Sequence, residues 1–276
     1  MAGERTPVIS LGGGVQSVTL VLMAATGYLE DHGIAKPELA VFADTQWESA
    51  GTYEYLGWLR IEAWRGGVEI AQRTAGDLRA DVAAAARGDR RRASNPPLFV
   101  RHHETGKKQM IPRGCSRDYK VRPVRQELRA RGFGPSRPVV QYIGFTTDEV
   151  ERMSPSDVAW ASTAWPLIDL RMSRHDCERW LLERGYAVPP KSACVGCPMR
   201  SDASWRQMKV ERPDEFAAAV EWDREVRTGL PGLKSEAFLH DSLRPLDEVD
   251  LRSAEDLGQL TIDGAQAACD TAGCFT

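Results

Sequence analysis

Two groups of residues in this sequence are equipped for chemistry, one directed at anions and the other at soft metals. The first is Ser10-Leu11-Gly12-Gly13-Gly14-Val15-Gln16-Ser17. It stands between the short β-branched run Thr6-Pro7-Val8-Ile9 and an apolar run from Val18 to Ala25, where a strand would hand over to a helix. Successive glycines let the backbone approach an anion and take turns closed to other residues. The first N–H groups of a helix starting there point outward, unpaired and partly positive. Ser10 and Ser17 add hydroxyl donors. The same composition also suits a tight strand-to-helix turn with no ligand. The Gly-Lys-Ser/Thr ending of a Walker loop and the dinucleotide-binding spacing are both absent.

The second group is Cys194-Val195-Gly196-Cys197-Pro198, whose spacing lets two thiolates face one metal. Soft thiolates favour zinc or iron–sulfur clusters. Cys115 is the best third ligand, because it follows Gly114 inside a basic run whose charge lowers thiol pKa values. A structural zinc completed by His175 or His240 is the alternative. Cys177, between Asp176 and Glu178, reads as an ordinary core or surface thiol. With six cysteines in a chain expected to be cytoplasmic, the sequence points to metal or redox chemistry rather than a disulfide framework.

These groups need a scaffold, and the chain predicts one. Glu38 to Thr45 reads as a strand buried on both faces and ending in Asp44, a carboxylate suited to ribose, magnesium or base, or to capping the next helix. The segment Glu48 to Trp64 reads as a helix burying Tyr53, Leu56, Leu59 and Trp64, and Val68 to Ala71 as the third strand. An alanine-rich segment ends in Arg90-Arg91-Arg92, and a polar loop or hairpin runs through His102, His103, Lys107 and Lys108. Val139 to Phe145 is a further core strand; Gly144 and Phe145 at its end suit an adenine ring lying on the backbone, or a simple turn. Trp165 to Leu170 reads as a last extended piece, and Ser173 as the cap of a helix ending near Gly185. The expectation is an α/β fold: a Rossmann-like parallel sheet over residues 1–185 with a basic insertion at about 87–137. A helical and irregular cysteine-containing appendage follows over 186–276.

Composition narrows the class. A chain of 276 residues with 42% hydrophobic content can bury a full core. No apolar run nears the roughly 20 residues that cross a bilayer, so a cytoplasmic location is expected. The net charge of −3 hides an asymmetry: Arg87 to Arg137 holds fifteen Arg or Lys against four Asp or Glu, leaving a balance of −14 elsewhere. An anion would dock in the middle of the chain, although such a run also suits a solvated face.

The glycine stretch resembles the pyrophosphatase (PP-loop) pattern Ser-Gly-Gly-x-Asp-Ser of enzymes that split ATP between its α and β phosphates. Gly13, Gly14 and Ser17 match, Gly12 replaces the first Ser, and Gln16 replaces Asp. Together with strand-end Asp44, Cys115 followed by Lys120, Val121 and Pro123, the Trp165-Pro166-Leu167 segment and Cys194-x-x-Cys197-Pro198, the chain resembles the phosphoadenylyl-sulfate reductase family of adenine-nucleotide α-hydrolase-like proteins. The resemblance implies ATP with magnesium at Ser10, Gly12, Gly13, Gly14, Gln16, Ser17, Asp44, Gly144 and Phe145, with Asp44 and Lys120 in catalysis. Adenylyl-sulfate reductases of this family hold a 4Fe-4S cluster with a Cys-Cys pair and a Cys-x-x-Cys; here Ser116 replaces the second cysteine, leaving Cys115, Cys194 and Cys197.

A three-cysteine cluster is similar to that of the tRNA thiolases of the same superfamily. That likeness implies an ATP-dependent sulfurtransferase, which adenylylates an acceptor oxygen and replaces it with sulfur. The acceptor expected is a nucleic acid or nucleotide, the sulfur donor is unread, and a homodimer is compatible. Sulfonucleotide reduction is the alternative, although the tail reads Cys269-Asp-Thr-Ala-Gly-Cys274-Phe-Thr in place of the family's Glu-Cys-Gly-Leu-His. Cys269 and Cys274 then stand as sulfur carriers, or one of them as a fourth cluster ligand. A non-catalytic nucleic-acid-binding subunit is the second alternative.

Overall fold

All six residues of the strand Leu39–Asp44 are buried, which is the signature of a strand covered on both faces. The computed structural model describes residues 5–92 and 94–253. In chain order it contains β1 (Thr6–Leu11), α1 (Val15–Ala25), α2 (Tyr28–Asp31), β2 (Leu39–Asp44), α3 (Ala50–Arg65), β3 (Glu69–Thr74) and α4 (Leu78–Ala86). Then come β4 (Phe99–Arg101), β5 (Lys108–Met110), a π-helix (Ser116–Val121), α5 (Arg122–Ala130) and β6 (Val139–Ile143). The remainder is β7 (Ala161–Ala164), α6 (Pro166–Asp169), α7 (Arg174–Glu183), α8 (Asp202–Glu211), α9 (Pro213–Val226) and β8 (Ala237–Phe238).

The main sheet has the order β3-β2-β1-β6-β7, and every pairing in it is parallel. Side chains alternate between its faces as the two-residue period of a strand requires. Ile9, Leu11, Ala40 and Phe42 pack in one cluster with α1, α3 and α7, while Val8, Leu39, Val41 and Ala43 pack in another with Val124 and Leu128 of α5. The α/β architecture expected from the sequence is therefore the one observed. Among the described residues, no helix is long and apolar enough to cross a membrane.

A third cluster joins distant parts of the chain. Trp47, Leu78, Val82, Val100, Cys115 and Tyr119 pack with Cys194, Cys197, Trp205, Met208 and Trp222. The antiparallel hairpin β4–β5 extends through β8 into a second sheet. Segments from the basic middle and the C-terminal part thus share one core.

Two local expectations are corrected. Trp165 to Leu170 is not extended: α6 begins at Pro166, where proline's fixed φ and missing N–H suit the first helical position, and the edge strand β7 lies just before it. Trp64 is 71% exposed. Thr52, Leu56, Leu59 and Ala63 form the buried stripe of α3, and one further residue turns Trp64 about 100° away from it.

Candidate functional site

The glycine stretch links β1 to α1 at the carboxyl end of the sheet, where ligands of open α/β folds collect. Gly14 is the N-cap of α1 and makes no side-chain cap bond, so no capping side chain takes the helix's first N–H groups. Ser17 shapes the turn from within: its Oγ accepts from the Gly12 N–H at 3.2 Å and donates to the Gly14 carbonyl at 3.1 Å. Gly13 has φ +78°, and a Cβ there would lie 3.2 Å from Thr52 Cγ2. Gly144 is glycine for a related reason, since its Cβ would stand 2.8 Å from the Ser17 backbone nitrogen. The end of β6 therefore packs directly on the first turn of α1.

One cavity gathers most of the residues singled out in the sequence. Ser10, Gly12, Gly14, Gln16, Ser17, Lys120, Gly144 and Phe145 line it, together with Ala43 and Glu48. Lys120 reaches it from the π-helix, a helix form that recurs at functional sites. Gln16 donates from Nε2 to Glu149 Oε2 at 3.2 Å. Burial pushes the Glu149 carboxyl above its ordinary range despite the adjacent Arg152.

Asp44 serves its own turn. Its Oδ1 accepts from the Gln46 N–H and the Tyr53 hydroxyl, each at 2.8 Å, and its Oδ2 accepts from Gln72 at 2.6 Å. Burial and this carboxylate raise the Tyr53 phenol well above its usual pKa. The N-cap of α3 is Ser49, not Asp44. The carboxylate lining the cavity is Glu48, which the sequence did not single out.

The Cys-x-x-Cys loop lies against this cavity. Ser192 donates to the Gly12 carbonyl, and the Val195 N–H donates to the Trp47 carbonyl at 2.8 Å. Cys194 Sγ lies 3.3 Å from Thr45 Oγ1 and donates to Glu48 Oε1 at 3.5 Å. Gly196 is pressed on Trp47, whose Cη2 would be 2.1 Å from an added Cβ. Cys115 caps the π-helix and is buried in the same cluster as Cys194 and Cys197.

Arg200, also unflagged by the sequence, runs beneath the loop. Its Nη2 donates to the carbonyls of Ala193 at 3.2 Å and Cys194 at 3.0 Å. Burial lowers its pKa, and the nearby Cys197 and Cys194 oppose that shift. A buried guanidinium favours thiolate over thiol. Cys194 and Cys197 beside this cation, with Cys115 in the same apolar cluster, are thiols of the kind that soft metals and iron–sulfur groups take as ligands.

The other predicted residues fall elsewhere. His240 is buried, with Nε2 2.9 Å from Asp202 and Nδ1 2.9 Å from Ser242, and His175 is exposed on α7. Cys269 and Cys274 lie outside the described residues. Cys177 is fully buried against α1 and α7, and burial pushes its thiol up to about 12. In the native protein at pH 8 we expect Cys177 to resist maleimide labelling. We also expect Cys177→Ala to cost roughly 1 kcal/mol of stability, read by thermal unfolding.

A broader basin adjoins the glycine-loop cavity, sharing Ser10, Val121, Val124, Ile143 and Phe145 with it. Arg113, Arg117, Arg125 and Arg152 line this basin. Arg152 stacks 4.7 Å above the Phe145 ring. Three of the four meet a nearby carboxylate: Arg117 that of Asp118 at 3.1 Å, Arg125 that of Asp157 and Arg152 that of Glu149. Outside the basin, Arg90 pairs with Asp81, and Lys108 with Asp241 at 2.7 Å.

No protein-family model matches the chain, and no curated protein matches it. Among solved structures it is similar to the phosphoadenylyl-sulfate (PAPS) reductase from Candida auris in its phosphate complex. The identity is 11%, covering 68% of this chain and 76% of that one, with a TM-score of 0.43.

Proposed function

We propose that this protein is an ATP-dependent sulfurtransferase that cleaves ATP to AMP and pyrophosphate to activate an acceptor oxygen, which sulfur then replaces. The observation that carries the reading is the contact between its two chemical groups: Ser192, two residues before Cys194, donates to the carbonyl of Gly12 in the glycine loop. An activated acceptor formed at that loop would already stand beside the cysteines.

In this scheme the N–H groups at the start of α1 and the Ser17 turn cradle the phosphates, and Lys120 offsets charge on the departing pyrophosphate. The acceptor oxygen bonds to the α-phosphorus as the α–β bridge breaks, turning a poor leaving group into AMP. Cys115, Cys194 and Cys197 would hold a 4Fe-4S cluster, which supplies the sulfur chemistry when bound. Arg200 favours the ligating form of Cys194 and Cys197, and the surrounding apolar cluster excludes water that would hydrolyse the adenylylated acceptor. Incubation of anaerobically purified protein with ATP and magnesium is expected to yield AMP and pyrophosphate. ADP and phosphate in their place would reject the assignment.

The four arginines of the basin support a phosphate-rich acceptor, and nucleic acid is the class proposed. Its binding should then weaken with salt. Replacing Arg113 and Arg117 together with Gln should flatten log affinity against log salt by about one unit for each phosphate that the variant no longer neutralises. Equal changes at Arg90 and Lys108, which do not line the basin, should have less effect. Weak, mutation-insensitive binding of every tRNA and DNA tried would point to a small-molecule acceptor.

The same basin supports a second reading, reduction of a sulfonucleotide, because arginines beside a nucleotide cavity also suit a sulfate or extra phosphate. Thiol-dependent release of sulfite from a sulfonucleotide, without pyrophosphate formation from ATP, would select it.

A further inference from the structure

Glu48 is 6% exposed, and its Oε2 is buried without a hydrogen-bond partner. That is an expensive state for a carboxylate. Its Oε1 accepts from the Thr45 hydroxyl at 3.1 Å and, when Cys194 is protonated, from its thiol at 3.5 Å. Neither supplies a compensating charge.

The position of Glu48 is firmly held. Its backbone bridges to Cys194, and two residues earlier Gln46 is held at φ 58°. A left-handed conformation is strained for a non-glycine residue, and strain of this kind persists where surrounding structure over-determines it. The turn from Asp44 to Glu48 is thereby fixed with the Glu48 side chain on the cavity wall.

The same cavity is lined by the glycine loop, Ser10, Ser17 and Lys120. Glycine amides, hydroxyls and an ammonium attract phosphate, whereas a bare buried carboxylate repels it. A divalent cation between carboxylate and phosphate reconciles the two. Magnesium is characteristically held by one or two carboxylates together with substrate phosphates, the rest of its octahedron being water. Two other residues in the vicinity are less suited: both oxygens of Asp44 are engaged by Gln46, Tyr53 and Gln72, and Gln16 is neutral and bonded to Glu149. We infer that Glu48, through Oε2, is the protein's carboxylate ligand to the magnesium of a bound magnesium–nucleotide complex. This inference rests on the reading of the glycine loop as a nucleotide site.

The test uses the full chain, manganese as a paramagnetic probe, and an α,β-methylene analogue of ATP that resists cleavage between the α and β phosphates. Titration calorimetry should find the wild type binding the analogue roughly tenfold or more tighter with manganese than with chelator. Glu48→Gln should bind the metal-free analogue at least as well as the wild type and lose most of the manganese preference. Its manganese resonance should also revert towards that of the manganese–nucleotide complex free in solution. Glu48→Asp, which keeps the charge on a shorter arm, should retain an intermediate preference, and both variants should keep their iron.

A manganese preference unchanged in Glu48→Gln overturns the inference while leaving the nucleotide site standing. Loss of iron from that variant, with the metal preference intact, also overturns it and assigns Glu48 to the cysteine site. Failure of the wild type to bind the analogue in either form overturns it together with the reading on which it rests.

Discussion

Alanine in place of Cys115, Cys194 or Cys197 is expected to strip most of the iron and acid-labile sulfide from the anaerobically purified protein and to abolish sulfur transfer. The wild type should be brown and oxygen-sensitive. The three cysteines belong to one buried apolar cluster, and no other cysteine among the described residues is positioned to replace them, since Cys177 packs in a separate core. Truncating a buried structural thiol to alanine would cost only about 1 kcal/mol; truncating a ligand removes the metal. Iron analysis and visible absorption therefore separate the two roles. Gly196→Ala is a useful companion because it changes no ligand: its added Cβ would lie 2.1 Å from Trp47 Cη2, so the loop must move and iron should be held less firmly. A colourless anaerobic preparation carrying stoichiometric zinc would overturn the cluster assignment.

Gly144→Ala should reduce ATP affinity by roughly ten- to a hundredfold, equivalent to about 1.4–2.8 kcal/mol, and slow pyrophosphate release accordingly. The added methyl would meet backbone, 2.8 Å from Ser17 N and 3.0 Å from Gln16 C. Backbone cannot rotate aside, so relief must come from displacing the first turn of α1, whose N–H groups are the proposed phosphate donors. Gly13→Val should be at least as damaging, because φ +78° disfavours a β-branched residue and the Cβ would press on Thr52. Equilibrium binding of labelled ATP, with circular dichroism to confirm folding, provides the measurement. Folded variants with unchanged affinity would place the nucleotide elsewhere.

The sequence by itself determined the features carried by neighbouring residues. The nearly unbroken apolar run of Leu39–Asp44, three glycines between an apolar strand and an apolar helix, and Ser173 at the head of its helix are local patterns, and the structure contains the corresponding elements. Trp165 to Leu170 misled because apolar periodicity cannot tell a short strand from a single helical turn, and proline at the first helical position settles the matter locally. Trp64 misled because an aromatic at nearly helical spacing need not lie on the buried stripe.

Only the tertiary structure decided which groups meet. Ser192 reaches Gly12 across 180 residues, and Cys194 reaches Glu48 across 146. Such meetings depend on how loops at the ends of different strands are brought together, and no spacing along the chain encodes them. The same cause separates two nearby carboxylates: Asp44 is consumed by hydrogen bonds within and beside its own turn, whereas Glu48 keeps an oxygen without a partner beside the glycine-loop cavity. It also divides the basic segment. Arg90 and Lys108 pair with carboxylates of α4 and of the loop after β8, outside the basin, while Arg113, Arg117 and Arg125 line the basin beside Phe145, Arg117 meeting Asp118 and Arg125 meeting Asp157. Residue types and their order determined which chemistry the chain can attempt; long-range packing decided which side chains stand close enough together to carry it out.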